Sequence, residues 1–215
     1  AIYNSNRFFL RTLLQRLGCE VSDLGIVPDK RELTLAALKT AADHHDLILT
    51  SGGVSVGEED HIKPSVQQLG SLDLWQIAMK PGKPFAYGTV RRDAGAGAEA
   101  ALPCHFIGLP GNPVSSFVTF LLLVRPFLLR LQGAEAPDLQ PVKLPAHFDL
   151  PRADKRREFL RVRRNAAGGL DLFPNQSSGV LTSAVWGDGL VDNPAGTTIA
   201  RGDLVSYLSF ADLLL

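Results

Sequence analysis

Residues 46–50 read Asp-Leu-Ile-Leu-Thr, and the run ends at Ser51-Gly52-Gly53. A strand this short and this apolar has no polar face to turn to water, so it is the kind buried on both sides in a parallel sheet. Covering both faces of a sheet takes helices on both, which commits this part of the chain to a three-layer α/β arrangement. The flanking residues agree. Asn4 or Ser5 can cap a helix running to Leu17, with Leu10, Leu13, Leu14 and Leu17 on one face and Gly18 as its stop. Further helices are predicted over 31–44, 62–69 and 112–131. Strands are predicted at 19–26, 72–79, 85–90 and 105–109, with the tail of another at 1–3. Strands alternating with helices predict a mostly parallel sheet.

After Gly133 the texture changes. Ala134 to Pro141 reads as a linker, and beyond it no helical periodicity stands out. Short runs of alternating polarity are separated by turns such as Ala167-Gly168-Gly169 and Gly187-Asp188-Gly189. The expected organisation is therefore an α/β domain over 1–135 and a small all-β, barrel-like domain over 136–215. Arg91 to Leu102 is of low complexity and is expected to be a flexible surface loop.

Composition narrows the partners. Lys plus Arg and Asp plus Glu are both 22, so the chain has no net charge and no electrostatic footprint for nucleic acid or an anionic membrane. Any anion site must be local. Cys19 and Cys104 show no zinc spacing and no CxxC, which fits a reduced, cytoplasmic setting. The apolar run from Phe117 to Leu131 is broken by Arg125 and Pro126 and is not expected to span a bilayer. No signal peptide is visible, and the opening at Ala1 without a methionine reads as a fragment of a longer protein.

Several stretches carry possible chemistry. In Met79-Lys80-Pro81-Gly82-Lys83-Pro84 each lysine precedes a proline, which pushes it towards extended backbone. A polyproline-like connector turns every three residues, so both ammonium groups would project from one side and need an anion between them. Thr50 to Gly57 follows the buried strand and is rich in glycine and hydroxyl residues. Glycines there let backbone N–H groups approach a ligand beyond the strand ends; a tight strand-to-helix turn is the plainer reading. Gly108-Leu109-Pro110-Gly111-Asn112-Pro113-Val114-Ser115-Ser116 also follows a strand, with Asn112 as helix cap and Pro113 at the first helical position. Free N–H groups at that helix start suit an anion, although a cap and rigid turn would explain the same residues. Asp29 and Asp60 each follow a predicted strand end and could hold Mg²⁺, which takes one or two carboxylates plus substrate phosphates. The run Lys155 to Arg164 is a dense basic strand. Alternation puts Arg157, Phe159, Arg161 and Arg163 on one side, normally a solvated face. Asn175 to Gly179 is a hydroxyl-rich turn.

Taken in order, these motifs closely resemble the MoeA/gephyrin family. The resemblance rests on residues 50–60, 79–84 and 108–115. It also rests on Ile2 to Arg7, Asp23 to Asp29, Glu158 to Arg161 and Asn175 to Gly179. It spans essentially the whole chain. MogA- and CinA-type relatives share the sheet and a Ser-Gly-Gly loop, but are not expected to carry the lysine connector or the second domain. The resemblance implies a MogA-like molybdopterin-binding domain at 1–135. It implies a molybdopterin molybdenumtransferase that inserts molybdate into adenylylated molybdopterin with Mg²⁺-dependent release of AMP. It also implies a homodimer, with a MogA-type adenylyltransferase as pathway neighbour. Carried over by position, Asp29 and Asp60 would hold the metal and orient attack. Ser51, Gly52, Gly53, Val54, Ser55, Gly108, Leu109, Pro110, Gly111 and Asn112 would cradle the nucleotide and pterin phosphate. Lys80, Lys83, Pro84, Ser115, Arg161, Ser177 and Ser178 would receive molybdate, with Lys80 and Lys83 also catalytic. The alternative is a molybdopterin-binding or scaffolding module without catalysis of its own.

Overall fold

The computed structural model describes residues 4–54, 61–93, 102–135 and 138–214. The chain forms two compact units, one from Ala1–Ile77 and Pro84–Gly111, the other from Ala78–Lys83 and Asn112–Leu215. Compactness therefore groups residues differently from a single cut at 135/136: the lysine connector and the helix after Asn112 associate with the C-terminal strands.

In the first unit, helix α1 (Ser5–Arg16) starts at Asn4, whose side chain accepts from the Arg7 N–H, and is followed by Gly18 at φ +77°. Helices α2 (Arg31–His44) and α3 (Ile62–Leu69) pack on a sheet of β1 (Leu47–Ser51), β2 (Gly70–Trp75), β4 (Ala86–Val90) and β5 (Cys104–Leu109), in the order β1-β5-β4-β2. Leu38, Ala42 and Val66 from the helices meet Ile48, Ala86 and Phe106 from the sheet in one core. The α/β class is as expected, but the pairings are mixed. β1 and β5 run parallel, whereas β4 is antiparallel to both β5 and β2. Among the described residues no crossover helix stands between β2 and β4, and a chain that returns directly lays its strands antiparallel.

No strand forms at 19–26. Asp23 accepts from Arg7 Nε at 2.7 Å and from the Gly25 N–H at 3.0 Å, and Gly25 takes φ +75°. That local turn replaces an extended run and leaves Leu24 and Ile26 exposed. The strand expected over 72–79 likewise stops at Trp75, because Gln76 adopts φ 74°. Residues Met79–Lys80 become a separate short strand, β3, which joins the sheet of the other unit.

That second sheet runs β3-β7-β9-β10-β6, with β6 at Val142–Pro145, β7 at Arg157–Arg164, β9 at Gly189–Asn193 and β10 at Leu204–Ser209. β8 (Leu170–Leu172) pairs with β7, and a bridge from Ala146 to Leu170 brings the end of β6 back towards β8. This closure gives the barrel-like form. Leu160, Val162, Leu170, Val191 and Tyr207 fill it. The region expected to lack helices contains two single turns, Thr182–Trp186 and Phe210–Leu214; five residues are too few to show a 3.6-residue period. Helix α4 (Pro113–Leu131) belongs to this unit, with Phe117 edge-on to Phe210 at 5.4 Å. By length and composition α4 could cross a membrane, yet 56% of its apolar window is buried within the fold. Its segment Phe120–Val124 widens to π geometry just before Pro126. Proline has no N–H to donate and crowds the carbonyl four residues earlier, here Leu122, so a local widening keeps the helix continuous.

Candidate functional site

The parallel register of β1 and β5, Leu47 opposite His105 through Ser51 opposite Leu109, ends both strands side by side. Their glycine loops therefore leave the sheet together at its carboxyl edge, where α/β sheets bind ligands. The Gly52 N–H donates to Leu109 O at 3.0 Å, and Gly52 and Gly53 take φ +88° and +69°, which glycine adopts without strain. A Cβ on Gly111 would stand 3.7 Å from the Gly52 Cα, so the two loops are in close approach. Asn6 ties them: its Nδ2 donates to Ser51 Oγ at 2.7 Å and to Gly111 O at 2.8 Å. Val54 is buried, and a Cβ on Gly108 would strike its Cγ1 at 2.4 Å. Leu109 and Pro110 are buried too. What these three residues can offer a ligand is backbone.

Asp29 lies in an exposed turn, with His61 Nε2 3.9 Å from its Oδ1 and its side chain 72% exposed. Ser55 and Asp60 lie outside the described residues. Among the described residues no cluster of three His, Cys, Asp or Glu side chains is placed to hold a metal.

In the second unit the lysine connector is not a uniform extended run. β3 pairs in parallel with β7, Lys80 opposite Glu158; the Lys80–Pro81 peptide is cis, and Gly82 takes φ +122°. A Cβ at Gly82 would meet Thr119 Cγ2 at 2.5 Å and Met79 Cε at 2.8 Å. Lys83 is exposed. Lys80 already has anions beside it, and they are the protein's own. Its Nζ lies 2.9 Å from Glu158 Oε1 and 3.1 Å from Asp154 Oδ2. The hydrogen bond to Glu158, with Asp154 adding to it, raises the Lys80 pKa above its ordinary value. Asp154 is held well below the usual carboxylate range, first by Arg156, which donates through its side chain and its backbone N–H, and then by Lys80.

Arg161 departs most from a solvated basic face. It is 1% exposed. Its guanidinium donates to Ser183 Oγ at 3.2 Å, Phe159 O at 3.4 Å and Ser177 O at 3.3 Å, all neutral oxygens. Burial lowers its pKa to about 10. Gln176 clamps this strand, accepting from the Arg161 N–H at 3.0 Å and donating to Arg161 O at 2.9 Å. The same turn meets the start of α4. The Val114 N–H donates to Ser178 O at 3.0 Å, and Asn112 Nδ2 donates to Ser178 Oγ at 2.9 Å. Ser178 thus takes one of the helix-start N–H groups, and Ser115 is buried in the first turn. Arg157 on the same strand pairs with Asp192.

The structure therefore brings Asn112, Ser115, Arg161, Ser177 and Ser178 into one unit with Lys80 and Lys83, and sets the two glycine loops side by side in the other. Pro84 falls in the first unit. Asn6, Asp154 and Glu158 were not singled out from sequence. Asn6 lies in the motif Asn4-Ser5-Asn6-Arg7, and Glu158 is the lone acid in a basic strand; either oddity could have flagged it.

Comparison with known proteins divides the chain along the sequence rather than by these spatial units. A family model described as a probable molybdopterin binding domain matches residues 1–130, and one described as the MoeA C-terminal region (domain IV) matches residues 143–210. A molybdopterin molybdenumtransferase of Haemophilus influenzae is 42% identical over 166 residues, covering 74% of this chain and 37% of the relative. The molybdenum cofactor synthesis protein cinnamon of Drosophila melanogaster is 32% identical over 206 residues, covering 92% and 32%. A solved molybdopterin biosynthesis MoeA protein of Pyrococcus horikoshii superposes with a TM-score of 0.76 at 28% identity, covering 97% of this chain and 48% of that one. The chain spans less than half the length of these relatives. With both family models matched in order along most of its length, the chain belongs to the MoeA/gephyrin family.

Proposed function

We propose that the chain acts in molybdenum cofactor biosynthesis, at the step where molybdate enters adenylylated molybdopterin and AMP is released. The observation that carries this reading is Arg161. Its guanidinium is buried against neutral oxygens beside a serine turn and a helix start. A buried charge is costly unless compensated, and an oxyanion bound beside it supplies the compensation. Molybdate is a tetrahedral dianion. In this reading it is received by Lys80, Lys83, Pro84, Ser115, Arg161, Ser177 and Ser178, while the loops 51–55 and 108–112 take the nucleotide and pterin phosphate. Asp29 and Asp60 hold Mg²⁺. The largely exposed Asp29 carboxylate is a hard oxygen donor of the kind Mg²⁺ takes alongside substrate phosphates. When bound, the ion neutralises the anhydride and stabilises the departing phosphate. The residues of the chain contribute positioning and fixed charge, and no covalent enzyme intermediate is needed. The setting we propose is a cytoplasmic homodimer fed by a MogA-type adenylyltransferase, with 1–135 and 136–215 as its two modules.

The test is AMP release from adenylylated molybdopterin with molybdate and Mg²⁺, run on this chain and on any longer parent. Release supports the reading. Binding of molybdopterin without release in either would replace it with a scaffolding role. In parallel, K80A should weaken molybdate binding about ten- to a hundredfold, the loss of one charged hydrogen bond, and leave nucleotide-pterin binding in place. Unchanged molybdate affinity would remove Lys80 from the site.

A further inference from the structure

An anion-binding lysine that is already paired with two carboxylates presents a problem in charge. An ammonium has three N–H donors. In Lys80 two of them face Glu158 Oε1 and Asp154 Oδ2, which leaves one for a ligand, and the side chain is 44% exposed. Glu158 is 3% exposed, and its second oxygen, Oε2, is buried with no hydrogen-bond partner among the described residues. Strand register fixes this contact, since Lys80 and Glu158 face each other in the parallel β3–β7 pair. Lys80 and Arg156 together balance Asp154 and Glu158, so the cluster carries no net charge.

We propose that Glu158 and Asp154 are positioning residues that anchor Lys80 with one N–H left for an oxyanion and, through their own charge, hold the affinity for that oxyanion down. The proposal rests on the molybdate reading above. Its physical content is a competition. A dianion arriving at the third N–H gains the ammonium but is repelled by two fixed carboxylates a few ångströms beyond it. An oxyanion held this way binds weakly enough to be passed on. Glu158→Gln retains an oxygen that accepts from Lys80 and removes the charge, so it keeps the anchor and lifts the repulsion. Asp154→Asn also removes a carboxylate charge, at a more exposed position, and gives up one of the two acceptor oxygens that Arg156 and Lys80 share.

The experiment is calorimetric titration of molybdate into the 215-residue chain at fixed ionic strength, with wild type, E158Q, D154N and K80A, each checked by thermal unfolding. The expected result is a Kd about three- to tenfold lower in E158Q and in D154N, the size of effect that removing one nearby charge has at a partly hydrated site. Tightening is the informative direction, because a variant that merely disturbs the strand pair binds more weakly. If K80A loses binding while both charge-removing variants bind as wild type or more weakly, the positioning role is overturned and the molybdate reading stands. If wild type does not bind molybdate, or K80A binds as wild type does, the reading of Lys80 falls and this inference with it. Should E158Q not fold, D154N decides between the same outcomes.

Discussion

Arg161 and Lys80 show how little a residue's type says about its electrostatic state. Both sit in stretches dense with cations. One is buried against neutral oxygens and loses basicity; the other meets two carboxylates and gains it. The difference lies in which groups the fold brings alongside, and that sets a pH window. Asp154 has a depressed pKa in the folded chain, so its contribution is whole above the ordinary carboxylate value and is lost as pH falls through the folded one. Lys80, with a raised pKa, contributes fully below the ordinary lysine value and loses that contribution as pH rises through the folded one. At neutral pH D154N should therefore melt below wild type, and the gap should narrow as pH drops below about 4. Melting curves at several pH values check this; a gap that stays constant into acid would mean that Asp154 is not held by charge.

Elements were legible where a local rule sufficed. The Asn4 cap, the Gly18 stop and the presence of a strand at Leu47–Ser51 each follow from a few neighbouring residues, although that strand ends the described sheet and only its Ile48 is buried, not the whole run as expected. Elements were lost where a contact distant in sequence intervened. Arg7 reaches Asp23 and turns an expected strand into a loop, and Gln76 breaks a strand so that Met79–Lys80 can pair with another sheet. The candidate loops show the same division. Their glycines were visible, but the reason for Gly108 was not: Val54 occupies the space its side chain would need. Gly108→Ala should cost about 1–3 kcal/mol through overpacking. Combining it with Val54→Ala should cost less than the two single changes added together, because the residues share the same space. Denaturant melts of the four proteins test this, and strict additivity would show that the two positions do not compete.

For the whole molecule, the composition boundary near 135 and the spatial division do not coincide. Helix α4 precedes that boundary, yet it packs with the C-terminal residues, Phe117 against Phe210 of the last helical turn and the Val114 N–H on Ser178 O. A fragment cut at residue 135 should therefore expose the apolar face of α4, bind a hydrophobic dye and associate. A monodisperse fragment that binds no dye would show that α4 needs nothing beyond the cut. The α/β and β character of the two parts, the glycine loops, the lysine connector and, through resemblance, the family are legible from the residues alone, because periodicity, turn chemistry and motif order are local properties of the chain. It takes the folded chain to show that the sheet is mixed, that Asn6 joins the two loops, that Arg161 is buried against neutral oxygens and that Lys80 is held by Glu158 and Asp154. Each of these depends on strand register and on contacts between residues far apart in sequence, and neither is written in any single stretch.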